Sequence, residues 1–322
     1  MKPPRQSEVS LHRDHADTDR ETVRGQRLAR LANAYGDTFA RYCFRFGLGV
    51  SLVFSLFPLY WLLVVALTPH PTVWTGVGLF PETISPQGFL LATQTVDWGL
   101  ALFNSLLISV VTTLFVLLVS IPAGYAFGRL DFYGRRPLLA AVLLVAVFPP
   151  ESIFIPLSDL FRGYTGVFGI SPPALFDTHA AVILPSSTLL LPLAIGLLTV
   201  FFAGVPDQLE DAARVAGATR HQAMWRVVFP LARPGIASVA TLVFIESYTE
   251  YFFTSFMTAG AWGAGYTVQT RLHEIITPIW QLGFPNMAAV VGLVGLLPSL
   301  VVVLYMSGKL DGWLSEWGQA MQ

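Results

Sequence analysis

The chain has 322 residues, of which 54% are hydrophobic and only 12% are charged. Soluble domains carry about 25% charged residues, so this composition excludes an ordinary soluble globular protein and indicates a membrane protein. The net charge of -1 points to no particular partner, and no nucleic-acid partner is expected, while the single cysteine, Cys43, excludes an internal disulfide and a multi-cysteine metal site.

Residues 1–42 are predicted to form an N-terminal tail on the cytoplasmic side. The first 20 residues mix both charge signs and lack a sustained apolar run, which is typical of disorder. From about residue 22, apolar residues recur at helical spacing, so this part is expected to be an amphipathic helix on the membrane surface. His12 and His15 are expected to be solvated, and no metal site is predicted.

Six apolar runs of about 20 residues predict an all-α transmembrane domain over residues 43–308, followed by a cytoplasmic tail at 309–322. The third run should be kinked or broken, because it contains Pro149, Pro150 and Pro156. The runs, in order, are 43–67, 100–127, 137–160, 180–204, 235–258 and 285–307.

Lysine and arginine are distributed very unevenly between the two sides of this topology. Of the 19 basic residues, 17 fall in the two terminal regions or in the connections after the second and fourth runs. The opposite side holds only Arg162 and Arg271. Because basic residues accumulate on the cytoplasmic side, a multi-pass protein of the cell (inner or plasma) membrane with both termini in the cytoplasm is predicted.

The connection 206–234 reads as two short helices joined at a glycine. Pro206 suits the first turn of a helix, and Gly217 supplies the left-handed residue at which a helix ends. Glu210 and Arg214 are spaced to form an ion pair. Small and apolar residues recur on another face of this first helix: Leu209, Ala212, Ala213 and Ala216.

A capping box of Thr219 and Gln222 predicts that the second helix starts at once. Pro230 and Pro234 are expected to end it before the fifth run. From spacing alone, two interpretations remain open: a surface to which another protein docks, and an ordinary amphipathic loop on the bilayer.

This connection resembles the EAA signature of permease subunits of ATP-binding-cassette (ABC) importers. The matching positions are Asp211-Ala212-Ala213, Gly217, Pro230 and Pro234. Two positions depart from the signature: Asp211 replaces the usual glutamate, and Ala216 replaces the usual acidic residue before the glycine.

Other stretches resemble the carbohydrate-uptake permeases, in particular the six-span maltose-transporter type. They include "PLYWLLVVALTP" (58–69), "GYAFGRLDFYGRR" (124–136) and "ESYTEYFF" (246–253). The resemblance implies a subunit that translocates a sugar or oligosaccharide delivered by an extracytoplasmic binding protein. It also implies two further kinds of partner: a second homologous permease in the bilayer and two ATPase subunits in the cytoplasm.

The resemblance implies no catalytic residue and no cofactor in this chain, with ATP and Mg²⁺ held by the partner ATPases. A Walker A lysine is also missing, because Lys2 and Lys309 are the only lysines and neither follows a suitable glycine-rich loop. The residues expected to contact the ATPase are Glu210, Asp211, Ala212, Ala213, Arg214, Gly217 and Ala218.

Ionisable residues within a span are candidates for the transport pathway. Glu246 and Glu250 are spaced to share one helix face, beside Ser247 and Tyr248, and these four are the candidate pathway residues. Helix–helix hydrogen bonding is the competing interpretation, and Arg162 or Arg271 could pair with the carboxylates.

Two alternatives for the function remain. One is an ABC importer permease for another solute, such as glycerol phosphate, although no span carries a basic midplane residue that would bind an anion. The other is an ion-coupled secondary transporter in which Glu246 and Glu250 carry protons.

Overall fold

The computed structural model describes residues 41–164, 174–258, 265–276 and 285–320. All regular elements in these ranges are helical, which confirms the predicted all-α class. The chain divides into two units, Met1–Trp61 and Leu62–Gln322. The predicted disordered tail and nearly all of the predicted amphipathic helix lie outside the described residues.

Thirteen α-helices and one π-helical turn (Met224–Val228, between α9 and α10) follow one another in the described part of the chain. In order, the α-helices are α1 (Arg41–Leu67), α2 (His70–Thr75), α3 (Gln87–Thr95), α4 (Trp98–Arg129), α5 (Arg135–Val145), α6 (Pro150–Phe161), α7 (His179–Ala203), α8 (Asp207–Val215), α9 (Arg220–Ala223), α10 (Phe229–Tyr248), α11 (Phe252–Phe256), α12 (Val268–Ile276) and α13 (Pro285–Ala320).

Within the described ranges, five stretches are long and apolar enough to cross a membrane: Arg41–Leu67, Trp98–Arg129, His179–Ala203, Arg220–Phe256 and Pro285–Lys309. They correspond to the first, second, fourth, fifth and sixth predicted runs. The predicted segment boundaries were approximate, since α13 continues to Ala320 instead of ending near residue 307.

The third predicted run is broken, as its prolines suggested. α5 ends at Val145 and α6 begins at Pro150, because Pro149 and Pro150 have no N–H to continue the helical hydrogen bonds. With 11 and 12 residues, the two helices each measure about 17 Å, whereas the hydrocarbon core of a bilayer is about 30 Å thick. The count of six crossings therefore stays a prediction.

The described part of the first unit is the beginning of α1. Its large apolar side chains, among them Phe46, Val53 and Phe54, are exposed. Such a helix is stable only where lipid or another apolar surface covers it.

The closest helix packing in the second unit is between α4 and α7, and it depends on two glycines spaced by four. A Cβ atom on Gly124 would lie 2.7 Å from the Cβ of Leu198. On Gly128 it would lie 2.9 Å from the carbonyl oxygen of Thr199 and 3.0 Å from the Cβ of Phe202. Small residues at this spacing let membrane helices approach until their backbones touch.

Buried apolar side chains of the second unit form three clusters. The first lies between α4, α7, the π-helical turn and α10, the second joins the end of α1 to α3, α12 and α13, and the third lies between α6, α7 and α11. Representative members are Val116, Phe202 and Val239 for the first, Ala66, Ala92 and Val291 for the second, and Phe161, Val182 and Phe253 for the third.

The fifth predicted run, 235–258, is not one continuous helix. α10 ends at Tyr248, residues 249–251 are not helical, and α11 begins at Phe252. The interruption places Glu250 between two helices instead of on the face of one.

We expect Gly128→Val to lower the stability of the protein by about 1–3 kcal/mol, because the added side chain would force α4 and α7 apart. Gly292→Val is the matched control, since a Cβ at Gly292 in α13 meets nothing within 4 Å. Thermal unfolding of the two variants in the same detergent measures the difference. Equal melting temperatures would contradict the proposed α4–α7 contact.

Candidate functional site

The segment 206–234 begins with α8, which ends as the sequence predicted. Gly217 has a φ of 92°, in the left-handed region. The N–H of Ala218 donates to the carbonyl of Ala213 at 3.0 Å, and the N–H of Gly217 donates to that of Arg214 at 3.0 Å. This pair of hydrogen bonds is the Schellman motif, which satisfies the last carbonyls of a helix.

The capping box at the start of the second helix is also confirmed. The side chain of Thr219 accepts from the N–H of Gln222 at 3.2 Å, and the side chain of Gln222 accepts from the N–H of Thr219 at 3.0 Å. The prediction that Pro230 and Pro234 end this helix was wrong. α9 passes through the π-helical turn into α10 without a gap, and both prolines lie within α10.

Pro230 is tolerated because it follows directly on the π-helical turn, where the regular α-helical hydrogen bonds are already interrupted. Just before it, the N–H of Phe229 donates to the carbonyl of Met224, five residues back, in the wider π-helical pattern. The chain is therefore continuously helical from Arg220 to Tyr248, so that a displacement of α9 is passed directly to α10.

A second attachment joins α8 to the end of α4 through Arg129. The Nη2 atom of Arg129 lies 2.9 Å from Oε2 of Glu210, and its Nε atom donates to the same oxygen at 3.0 Å. Its Nη1 atom donates to Oδ1 of Asp207 at 2.6 Å and to the carbonyl of Val205 at 2.7 Å. The hydroxyl of Tyr125, one turn earlier on α4, donates to Oε1 of Glu210 at 3.0 Å.

Burial makes the contact between Arg129 and Glu210 more costly to break than an ordinary surface ion pair. The side chains of Arg129 and Glu210 are only 4% and 12% exposed, whereas that of Asp207 is 88% exposed. Water screens a buried pair weakly, and removing either partner leaves a buried charge without a counter-ion. Glu210 therefore fixes the position of α8, and Asp207 contributes little by comparison.

The predicted ion pair between Glu210 and Arg214 was wrong. Arg214 instead pairs with Asp211, at 3.4 Å on the exposed side of α8. Helical spacing identifies neighbours on one helix, but it could not reveal Arg129, which lies 81 positions before Glu210.

The other predicted ATPase-contact residues lie on a surface that the described residues leave uncovered. Asp211, Ala212, Arg214 and Gly217 are exposed, and Ala213 and Ala218 are half-buried. The sequence interpretation missed Val215, whose side chain is 90% exposed between these residues. The small residues Ala212, Ala213 and Gly217 allow another protein to approach closely, and the exposed Val215 offers it an apolar contact.

The candidate pathway residues do not share one face. Glu246 is exposed on α10, while Ser247 and Tyr248 are buried. The predicted common face of Glu246 and Glu250 was wrong, because α10 ends at Tyr248 before Glu250 is reached.

The carboxylate of Glu250 binds the first turn of α11. Its Oε1 atom accepts from the N–H of Phe253 at 2.6 Å. Its Oε2 atom accepts from the N–H of Thr254 at 3.0 Å and from the Thr254 hydroxyl at 2.6 Å. A carboxylate is well placed there, since the first N–H groups of a helix have no partner within the helix. Glu250 thus holds the break between α10 and α11.

A polar network lies at the other end of α4, where Asn104 and Ser105 make contacts between helices. The Asn104 amide donates to the carbonyl of Tyr266 at 3.2 Å, and its Oδ1 atom lies 3.0 Å from Nε2 of His179. The hydroxyl of Ser105 accepts from the N–H of Val268 at 2.9 Å. These contacts fasten α7 and α12 to α4.

The described residues contain no group of three or more His, Cys, Asp or Glu side chains that could hold a metal ion. The expected absence of a cofactor stays a prediction.

Known proteins share the sequence pattern of this chain. The profile of the binding-protein-dependent transport system inner membrane component family matches residues 120–312, more than half of the chain. The chain is 36% identical to the trehalose transport system permease protein SugB of Mycobacterium tuberculosis (strain CDC 1551 / Oshkosh), over 64% of this chain and 72% of that protein.

Two further relatives carry similar names. Identity is 28% with the sulfoquinovosyl glycerol transport system permease protein SmoH of Agrobacterium fabrum (strain C58 / ATCC 33970), over 82% of this chain and 88% of that one. It is 30% with the trehalose/maltose transport system permease protein MalG of Thermococcus litoralis (strain ATCC 51850 / DSM 5473 / JCM 8560 / NS-C), over 64% and 71%.

Solved structures share the fold. A chain of a bacterial ABC transporter involved in the import of the acidic polysaccharide alginate has a TM-score of 0.63 at 17% identity, covering 81% of this chain and 92% of that one. A chain of the methionine ABC transporter in an inward-facing conformation has a TM-score of 0.53 at 17% identity, covering 71% and 99%. The family profile and the relatives in sequence confirm the resemblance to importer permeases, and the chain belongs to the family of binding-protein-dependent transport system inner membrane components.

Proposed function

We propose that this chain is the permease subunit through which an ATP-driven importer moves a sugar or oligosaccharide across the membrane. The relatives named for trehalose, for trehalose and maltose, and for sulfoquinovosyl glycerol support this substrate class. The observation that carries the transport role is the uncovered surface of α8, held in place by Arg129.

We propose that the partners are a second homologous permease, two ATPase subunits that bind and hydrolyse ATP, and a sugar-binding protein outside the membrane. The small-residue surface of α8 is the proposed ATPase contact, with Asp211, Ala212, Ala213, Arg214, Gly217 and Ala218. Glu210 belongs to the proposed site as the residue that positions this surface. The unequal distribution of basic residues supports an orientation with α8 and both termini in the cytoplasm.

The proposed mechanism is a two-state movement of the spans, driven by the ATPases through α8. α8 is attached to the spans at two places: by Arg129 to α4, and through α9 and the π-helical turn to α10. Since α4 in turn packs closely on α7, a displacement of α8 would be transmitted to three spans together.

We further propose that Glu246 faces the transport pathway and that Glu250 has a positioning role. An ionised carboxylate exposed to lipid is energetically costly, so the exposed Glu246 requires water, substrate or a partner chain beside it. Hydroxyl groups of a sugar are suitable donors to such a carboxylate. The oxygens of Glu250 are occupied by α11, which supports a structural function.

Gly217→Val should leave the protein inserted but strongly reduce the stimulation of ATP hydrolysis by the sugar-loaded binding protein. A side chain at this left-handed position costs about 1–2 kcal/mol, and it would change the direction in which α9 leaves α8. A Cβ there meets nothing within 4 Å, so the effect is one of backbone strain and not of space.

Gly217→Asn is the matched control, because asparagine adopts the left-handed region more readily than other residues. The measurement is the ATPase rate of the reconstituted complex with and without binding protein. Full stimulation in the valine variant would mean that this segment does not couple the ATPase to the spans, and the proposed function would lose its main support.

The residues around Arg129 should form a graded series. Arg129→Ala should destabilise the complex by about 3–5 kcal/mol and abolish uptake, because it leaves the Glu210 carboxylate buried without a counter-ion. Asp207→Asn should cost less than about 1 kcal/mol, since that carboxylate is exposed. Thermal unfolding and sugar uptake into proteoliposomes measure both effects, and equal losses in the two variants would rule out the proposed difference.

Glu246→Gln should reduce sugar uptake several-fold and leave the melting temperature unchanged. Glu250→Gln should instead reduce stability by about 1–2 kcal/mol, because it weakens charge-assisted hydrogen bonds to α11. Uptake assays and thermal unfolding on the same preparations separate the two roles. If Glu250→Gln lowered uptake at full stability while Glu246→Gln transported normally, the assignments would have to be exchanged.

A further inference from the structure

An open groove of about 840 Å³ lies just beyond the end of α4 and outside the site described above. It is lined by the turn between α4 and α5 and by the first residues of α5. The lining residues are Asp131, Phe132, Tyr133, Gly134, Arg135, Arg136, Pro137 and Leu139. Because Arg129 binds α8, this groove is at the same end of the spans as α8.

The groove lies where the membrane surface is expected. α4 on one side of the turn is long and apolar enough to span a bilayer. On the other side, Leu138, Leu144 and Val145 of α5 are exposed, so this helix also faces an apolar medium. The turn between two such helices reaches the lipid headgroups.

The exposed aromatic side chains of the groove suit this depth. Tyr133 is fully exposed and Phe132 is partly exposed. Tyrosine rings are enriched at the boundary between the hydrocarbon and water, where the apolar ring and the polar hydroxyl are both accommodated.

The charge of the groove is positive. Arg135 already has two partners within the chain: its Nη1 atom lies 3.2 Å from Oδ1 of Asp131, and its Nη2 atom donates to the carbonyl of Gly128 at 3.4 Å. Arg136 is exposed, and its guanidinium makes no ion pair or hydrogen bond with any residue that the structure describes. Guanidinium groups bind phosphate oxygens through two parallel hydrogen bonds, so this groove can accept a phosphate.

We propose that the groove binds the headgroup of an anionic phospholipid of the adjacent leaflet. Arg136 and Arg135 contact the phosphate, and Tyr133 and Phe132 pack beside the glycerol region. A docked protein is less well supported, because the apolar side chains of α5 continue directly from the groove and need lipid around them. The inference requires a membrane-spanning chain but not the proposed substrate.

The test uses the complete transport complex, purified in detergent and titrated with phosphatidylglycerol or phosphatidylcholine while bound lipid is counted by native mass spectrometry. The wild type should bind phosphatidylglycerol in preference to phosphatidylcholine. Arg135→Gln with Arg136→Gln should weaken phosphatidylglycerol binding on the order of twentyfold, since each arginine near an anionic surface contributes about fivefold.

Two further variants exclude a merely structural effect. Asp131→Asn should strengthen phosphatidylglycerol binding, because it removes the carboxylate that competes for Arg135. Arg135→Lys with Arg136→Lys should retain the preference for the anionic lipid with lower affinity, since the charge remains and the two-pronged geometry is lost.

Two results would overturn the proposal. One is unchanged phosphatidylglycerol binding in the double glutamine variant. The other is loss of the ATPase subunits from that variant at full lipid affinity, which would make the groove a protein-docking surface.

Discussion

The guanidinium of Arg129 determines how α8, which lies between two of the spans in sequence, is attached to α4. It is nearly inaccessible to water at the end of α4, and a buried cation is stable only with close counter-charges. Both of its carboxylate partners, Glu210 and Asp207, are supplied by α8. α8 therefore cannot leave this position without exposing the ion pair or leaving one charge buried and unpaired. The close contact of α4 with α7, in which Gly128 meets the backbone of Thr199, extends this constraint into the spans.

The same arrangement leaves specific surfaces for other molecules. With Glu210 turned towards Arg129, the exposed surface of α8 carries Ala212, the ion pair of Asp211 with Arg214, and the apolar side chain of Val215. Within the spans, Glu250 is held by the first turn of α11, whereas Glu246 is exposed. In each region one glutamate, Glu210 or Glu250, is bound within the chain, while nearby residues face outward. Membership in a family of binding-protein-dependent transporters is consistent with a chain that presents surfaces to partners.

The sequence by itself determined the features that depend on composition and on neighbouring residues. A low content of charged residues and long apolar runs required a helical membrane protein. Pro149 and Pro150 predicted a kink or a break in the third run, because they cannot donate to the preceding turn. The left-handed Gly217 and the capping box of Thr219 with Gln222 were predictable for the same reason: all their hydrogen-bond partners lie within a few residues.

Only the tertiary structure decided which charges meet. Helical spacing paired Glu210 with Arg214, but Arg129, 81 positions away, forms the contact instead, because its buried guanidinium at the end of α4 meets the Glu210 carboxylate. Spacing also placed Glu246 and Glu250 on one face. The helix ends at Tyr248, since the carboxylate of Glu250 binds the free N–H groups that begin α11. In both cases the local pattern allowed more than one partner for a carboxylate. For Glu210 the choice depended on burial and on a donor from another helix, which no short stretch of sequence contains. For Glu250 the donors are only three and four residues away, and the structure decided that the helix stops before reaching them.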